Sequence, residues 1–309
     1  MKKKFKWIKK GRIYEARTLG YTHGSHPCIL HFRDSQHILA FTIRDGDNKS
    51  HICLAKCVVD DDGINMIGEV KLALYPGMKG YFDCDGVISA CFVEYNNVRF
   101  LYYVGWQNLQ EGMWLCDTGR TIVDVETLAL QREFDGPVLG RDKNNPLFAA
   151  GTAFLIIDEV WHTWYNSGLR WEQTTKGLKH YYGIHHATSS NGVDWECEKG
   201  MCIPFANEYE YAFGRPCVIK INGEYCMWFA HRATKKTDKY RMGFAYSSDG
   251  NKWVRDDSLA GIDVSPAGWD SDMICYPYVF EHNGKYYMLY NGNGYGRTGF
   301  GLAVMEGSV

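Results

Sequence analysis

The chain has 309 residues, of which 45% are hydrophobic and 15% aromatic, with 33 glycines and a formal net charge of −2. That length can bury a large core, the aromatic and glycine content suits strands and tight turns, and the balanced charge, with no basic stripe, argues against nucleic acid as a partner. No apolar run approaches the roughly 18 residues of a membrane span, and the basic opening MKKKFKWIKKGR lacks the apolar core of a secretory signal.

In chain order, FKWIKKGRIYEA within residues 1–20 predicts a strand. Five segments then read as strands that end in aromatic-rich tips: HILAFTIRD, RFLYYVGWQ, VWHTWYNSG, YCMWFAHRA and YYMLYNGNG. Their matching aromatics, Phe41, Tyr103, Tyr165, Phe229 and Tyr290, recur at steps of 62, 62, 64 and 61 residues. A preceding strand passes through Pro27, Ala90, Thr152, Pro216 and Pro277 in turn. HATSSNGVDWECE and AYSSDGNKWVRDD share S-S-[ND]-G-x-x-W, a turn with Gly where φ is positive and a Trp packing back across it. Alternation of period two dominates, and helical periodicity is absent.

Five evenly spaced repeats of four strands predict an all-β fold, a five-bladed β-propeller of antiparallel blades around a central channel. The blades fall at approximately 21–76, 80–135, 142–204, 208–262 and 268–309 of a single domain spanning 1–309, with residues 1–20 completing the last.

Eleven cysteines form no CxxC pair and several lie in apolar strands, which points to reduced thiols and a cytoplasmic location. GNGYG near the C-terminus lacks the GxGxxG register leading into a helix, so its glycines are expected to turn the backbone at a pocket rim rather than cradle a phosphate.

A channel makes polar residues at the starts of the five first strands converge. Unit one brings His23 and His26, unit two Asp83 and Asp85, unit four Glu210 and Arg215, unit five Asp270 and Asp272. Each acid alone is equally well read as capping a turn; their recurrence at equivalent positions points to a shared acidic hollow. Glu210, Asp85, Asp272 and His26 are the catalytic candidates. Substrate contacts are expected from His23, Asp83, Arg215 and Asp270, from Trp106, Arg170, Glu172 and His231 at strand tips, and from Tyr276, Asn291 and Arg297. Rings beside amides, arginines and acids suit a sugar, and the arginines suit an anionic group on it. There is no metal-ligand spacing and no expected cofactor; the acids would suffice for a channel cation but show no diagnostic pattern.

The stretches FDCDGVISA, YAFGRPCVIK, AGIDVSPAGWDSDMICYPYVF and YMLYNGNGYGRTGFGLA, with the repeat, resemble the five-bladed propeller superfamily of glycoside hydrolases, families 32, 43, 62 and 130. They are most similar to a bacterial 32/43-like branch associated with surface-polysaccharide biosynthesis. The resemblance implies glycosyl cleavage or transfer on a small anionic or nucleotide-linked sugar, with Glu210 as general acid of raised pKa. It implies an Asp in blade one, where this chain has His26-Pro27, so hydrolysis by two carboxylates competes with phosphorolysis, with an imidazole base, with isomerase or lyase chemistry, and with sugar recognition without turnover.

Overall fold

The structure, a computed structural model, describes residues 4–16, 20–60, 63–175 and 177–307. Its strands fall into antiparallel groups of four. The first is β2 (Thr22–Arg33), β3 (Gln36–Arg44), β4 (Ser50–Val59) and β5 (Ile64–Leu74). The second is β6 (Gly86–Tyr95), β7 (Val98–Asn108), β8 (Trp114–Asp124) and β9 (Ala129–Arg132). The third is β10 (Ala149–Ile157), β11 (Val160–Thr174), β12 (Gly177–Ser189) and β13 (Glu196–Cys197). The fourth is β14 (Ala212–Ile221), β15 (Glu224–Arg232), β16 (Tyr240–Ser247) and β17 (Val254–Arg255). The fifth is β18 (Cys275–His282), β19 (Lys285–Asn291) and β20 (Phe300–Met305), completed by β1 (Trp7–Tyr14) on the outer edge of β20.

First strands contact one another in a cycle: β2 with β6, β6 with β10, β10 with β14, β14 with β18, and β18 with β2. Single parallel bridges, Ser50 to Gly86, Asp117 to Ala149 and Tyr182 to Ala212, tie third strands to the next group. No helix among the described residues is long and apolar enough to cross a membrane.

The five repeat aromatics on the second strands are fully buried. Phe41, Tyr103, Phe229 and Tyr290 sit in apolar wedges between neighbouring groups, whereas Tyr165 packs in a small cluster with Leu139, Ala149 and Ala187; in one wedge, Trp228 and Phe244 of group four meet Val279, Met288 and Tyr290 of group five. Full burial of such a side chain stabilises by about 1.5–3 kcal/mol, so the repeat spacing is the spacing of these buried rings. The two S-S-[ND]-G-x-x-W stretches turn from third to fourth strands as expected, with Gly192 and Gly250 at φ 72° and 79°. Each glycine's N–H donates to the hydroxyl of the leading serine, Ser189 or Ser247.

Opposite every repeat aromatic, the first strand carries an irregularity. His26-Pro27 face Phe41, Arg215-Pro216 face Phe229 and Tyr276-Pro277 face Tyr290, while the shorter shifts of groups two and three fall at Ala90 and Thr152. A bulge bends its strand and re-aims a side chain. His26, Arg215 and Tyr276 accordingly adopt φ of 50°, 40° and 56°, a left-handed backbone that is uncommon outside glycine. Side chains of the preceding group accept N–H groups at or beside these irregularities. Thr42 Oγ1 takes the Ser89 N–H at 3.0 Å, Thr118 Oγ1 that of Gly151 at 2.7 Å, Asn166 Oδ1 that of Arg215 at 3.1 Å and Asn291 Oδ1 that of His26 at 3.0 Å. Buried donors need such partners.

Candidate functional site

The bulges aim His26, Arg215 and Tyr276 into a central cavity of about 450 Å³. Its wall also carries Arg44 and Trp106 from the ends of β3 and β7, Arg232 from the end of β15, and Tyr182, Tyr240 and Tyr295. Arg44, Trp106 and Arg232 each stand three residues after a repeat aromatic, so one repeat position supplies much of this wall. No Asp or Glu is among the described residues lining the cavity.

Arg215 reaches the floor almost wholly buried, 2% exposed. Its Nη2 donates to the carbonyls of Pro27 at 2.8 Å and Ala90 at 3.0 Å, and Nη1 to that of Tyr276 at 3.2 Å, so one guanidinium joins β14 to β2, β6 and β18. Its buried Nε–H has no partner among the described residues. Arg44 donates to Asn48 Oδ1 at 2.9 Å and lies over the Trp106 ring at 5.5 Å. Among the described residues neither arginine has a carboxylate partner. Burial lowers both pKa values, yet a guanidinium keeps its charge in proteins, so the cavity holds positive charge that no carboxylate among the described residues pairs with.

Burial, then the charges of Arg44 and Arg297, push His23 down to about 4. Burial and the charges of Arg215 and Arg44 take His26 well below its ordinary value, and its ring stacks on Tyr276 at 4.2 Å between centroids. Both imidazoles are neutral at pH 7. Tyr182 and Tyr240 share a hydrogen bond between their hydroxyls. Burial raises both phenols, Tyr182 to about 12, which keeps them protonated.

The expected acidic hollow does not form, for a reason that repeats. In three groups the acid ahead of the first strand clips that strand's approach to a basic residue on the group's own fourth strand. Asp83 accepts from Arg132 at 2.7 Å and Tyr103 at 3.1 Å; Asp270 accepts from Lys9 at 2.6 Å and Tyr290 at 3.1 Å. Glu210 accepts from Arg255 at 2.8 and 2.7 Å, with His231 Nδ1 2.9 Å away. Burial alone would raise Glu210, but bonds from Arg255, His231 and the Ala206 N–H outweigh it and hold the carboxyl at about 2. A general acid needs the opposite shift, so the geometry corrects the role expected of Glu210, and His231 belongs to the same clip. In group three Asn145, accepting from Tyr165 at 3.0 Å, is the neutral counterpart.

The remaining candidates divide. Asp85 accepts the Asn108 N–H at 2.7 Å, and exposed Asp272 pairs with Lys239 at 3.0 Å; neither lines the cavity. Asn291 is fully buried and holds backbone, taking the His26 N–H and donating to the Tyr295 carbonyl. Arg170 and Glu172 are exposed on the long β11–β12 hairpin, 3.6 Å apart. Arg297 is exposed, its charge acting on His23. GNGYG forms a tight turn that presents Tyr295 to the cavity; a Cβ at Gly296 would lie 2.6 Å from the Gly24 carbonyl. His23, His26, Trp106, Arg215 and Tyr276 are therefore the expected residues that the structure brings together, with Arg44, Trp114 and Tyr240 added.

Glu210, His231 and Asp257 are the one group among the described residues with ligand atoms close enough for a metal ion. Arg255 already lies between them, donating to Glu210 and, at 2.6 Å, to Asp257, and its charge stands where a cation would. Asp117, on β8 beside the cavity-lining Cys116, is different: burial outweighs its bond from Ala149 and raises it to about 6, and its Oδ1 finds no partner. All eleven cysteines are free.

Solved structures share this fold. A glycoside hydrolase superposes with a TM-score of 0.71 at 16% identity, covering 99% of this chain and 93% of the other. A thermostable family-43 glycoside hydrolase gives 0.64 at 14%, covering 95% and 91%. A GH130 structure, from work describing glycoside hydrolases that target β-1,2 mannosidic linkages in Candida mannan, gives 0.70 at 11%, covering 98% and 94%. The fold is that of the glycoside hydrolase propellers, as the sequence resemblance implied. No protein-family model matches the chain. The chain belongs to the family of the uncharacterized proteins MT1551 and Rv1502 of Mycobacterium tuberculosis, to each of which it is 36% identical over 306 residues, 97% of this chain and 99% of theirs.

Proposed function

We propose that the chain is a carbohydrate-active protein whose five strand groups are the blades of a closed propeller, and that its central cavity takes a sugar bearing phosphate or carboxylate. The observation that carries this reading is a ring-lined cavity holding Arg44 and Arg215 without a neutralising acid. Buried charge left unpaired is costly, and an anionic ligand relieves it. The aromatic wall suits the apolar face of a sugar ring.

The reaction in this reading is cleavage or transfer of a glycosyl group with imidazoles in place of both carboxylates: one histidine takes the proton of the attacking water or hydroxyl, and a phosphate leaving group departs as an anion that needs none. His26 and His23 offer neutral nitrogens that accept a proton. A bound anion offsets the arginine charges that depress them, and their basicity rises as the ligand arrives. A place in bacterial surface-glycan metabolism belongs to the same proposal and rests on the sequence resemblance. Recognition without turnover is the second reading, favoured by the position of Glu210, Asp85 and Asp272 outside the cavity.

Calorimetric titration with sugar 1-phosphates, uronic acids and neutral aryl glycosides, followed by product analysis, tests both. Anionic sugars should bind and neutral glycosides should not, with Arg44→Gln weakening binding about tenfold or more, as loss of a charge-assisted bond does. Turnover abolished by His26→Gln with binding kept supports the enzyme; binding with no product supports recognition. Neutral glycosides bound as tightly as anionic ones, with Arg44→Gln indifferent, would overturn the proposal.

A further inference from the structure

Arg232 leads out of the cavity onto a surface that the sugar site leaves unused. Its guanidinium lies 5.8 Å from the ring centroids of Tyr240 and Tyr295, both on the cavity wall, and 5.2 Å from that of Tyr211 outside it. Lys179 Nζ lies 4.3 Å from the same Tyr211 ring and 5.0 Å from Tyr181, and Arg170 stacks on Tyr181 at 3.6 Å. These cations stand over a row of rings that begins at the cavity and runs along the β11–β12 hairpin. That hairpin is the longest in the molecule, 15 and 13 residues per strand, and Arg170 and Lys179 stand on its far half.

The rings fix the cations without neutralising them. A cation over an aromatic face keeps its full charge and loses side-chain freedom before any ligand arrives. Lys179 has no ion pair or hydrogen bond among the described residues. Arg232 donates to the Asp238 backbone carbonyl at 3.2 Å and meets its carboxylate at 3.3 Å; that carboxylate is largely exposed and accepts more closely from Tyr211, at 2.8 Å. Arg232 and Lys179 share one ring, so they lie no farther apart than the sum of their two distances to it.

We propose that Arg232 and Lys179, held over Tyr211, form a second anion subsite at the cavity rim that takes the diphosphate of a diphosphate-linked sugar whose glycosyl unit occupies the cavity. This deepens the proposal of an anionic sugar ligand and rests on it. A single phosphate is served within the cavity by Arg44 and Arg215; a second, outward phosphoryl group is what gives the rim cations a partner. Nucleoside diphosphate sugars and prenyl diphosphate sugars share this chemistry.

Calorimetry on the full chain and a Lys179→Gln variant, each with inorganic phosphate, inorganic pyrophosphate, a sugar 1-phosphate, UDP- and GDP-sugars and a short-chain prenyl diphosphate sugar, provides the test. Lys179 is half-exposed and apart from the cavity lining, so the variant should fold as the parent does, which its circular dichroism and melting temperature check. Pyrophosphate and at least one diphosphate-linked sugar should bind more tightly than phosphate and the sugar 1-phosphate. Lys179→Gln should remove roughly tenfold of the diphosphate affinity alone, the size expected for one charge-assisted contact. The arm that binds tightest names the source, nucleotide or prenyl. Diphosphate and monophosphate ligands binding equally, or a variant without effect, overturns the rim subsite while the anionic-sugar reading stands. Binding of neither class overturns both.

Discussion

The acid clips and the central cavity treat charge in opposite ways. Asp83, Asp270 and Glu210 are buried, and each meets a cation of its own strand group at 2.6 to 2.8 Å. Arg44 and Arg215 are drawn into the cavity and, among the described residues, meet amide and carbonyl oxygens and the rings of Trp106 and Tyr278. In the clips carboxylates serve architecture, whereas the two cavity arginines have no carboxylate partner among the described residues. Acids recur ahead of the first strands because the clips recur.

The largest test of this contrast is Asp83→Ala. Removing one partner of a buried pair costs about 3–5 kcal/mol, so urea unfolding should show a loss of that order through stranded Arg132. A loss under 1 kcal/mol would mean that the clip is not structural.

Acid pH sharpens the same comparison. Glu210 ionises near 4.5 when unfolded and at about 2 when folded, so its contribution is complete above 4.5 and disappears as pH falls through 2. His23 takes up its proton at 6.5 in the unfolded chain and at about 4 in the folded one, so stability also declines as pH falls from 6.5 to 4. Unfolding free energies measured against pH should fall across both windows, and Glu210→Gln should flatten only the lower one. An unchanged lower window in that variant would break the assignment.

Asn291→Ala strands the buried His26 N–H, which costs about 1–3 kcal/mol, and releases the backbone that aims His26; thermal melts and anion titration should both register it. Asp272→Asn should do least. Its pair with Lys239 is exposed, worth about 1 kcal/mol or less, and neither stability nor ligand affinity should change beyond that. Loss of turnover with intact folding in Asp272→Asn would restore it to the site.

The fold was legible because its period is carried by large buried side chains, Phe41, Tyr103, Tyr165, Phe229 and Tyr290, and Pro27, Pro216 and Pro277 mark bulges opposite three of them. The site was legible only in part. His26, Arg215 and Tyr276 could be found as the residues before those prolines, and Trp106 as a strand tip. Arg44 carried a usable signal, its offset from Phe41 matching that of Arg232 from Phe229. The clips were hidden because their basic halves, Arg132, Arg255 and Lys9, stand on fourth strands whose pairing the sequence leaves open. Asn291 looked like a ligand contact for a related reason: the N–H it satisfies belongs to a bulge in another strand group.

A crystal structure with a sugar 1-phosphate soaked into the cavity measures the central claim most directly. The account places the phosphate within hydrogen-bond reach of Arg44 and of the unpartnered Arg215 Nε–H, with the sugar against Trp106 and Tyr276 and no carboxylate touching the anomeric centre. A sugar seated instead against Glu210, with Arg255 displaced from it, would contradict that account.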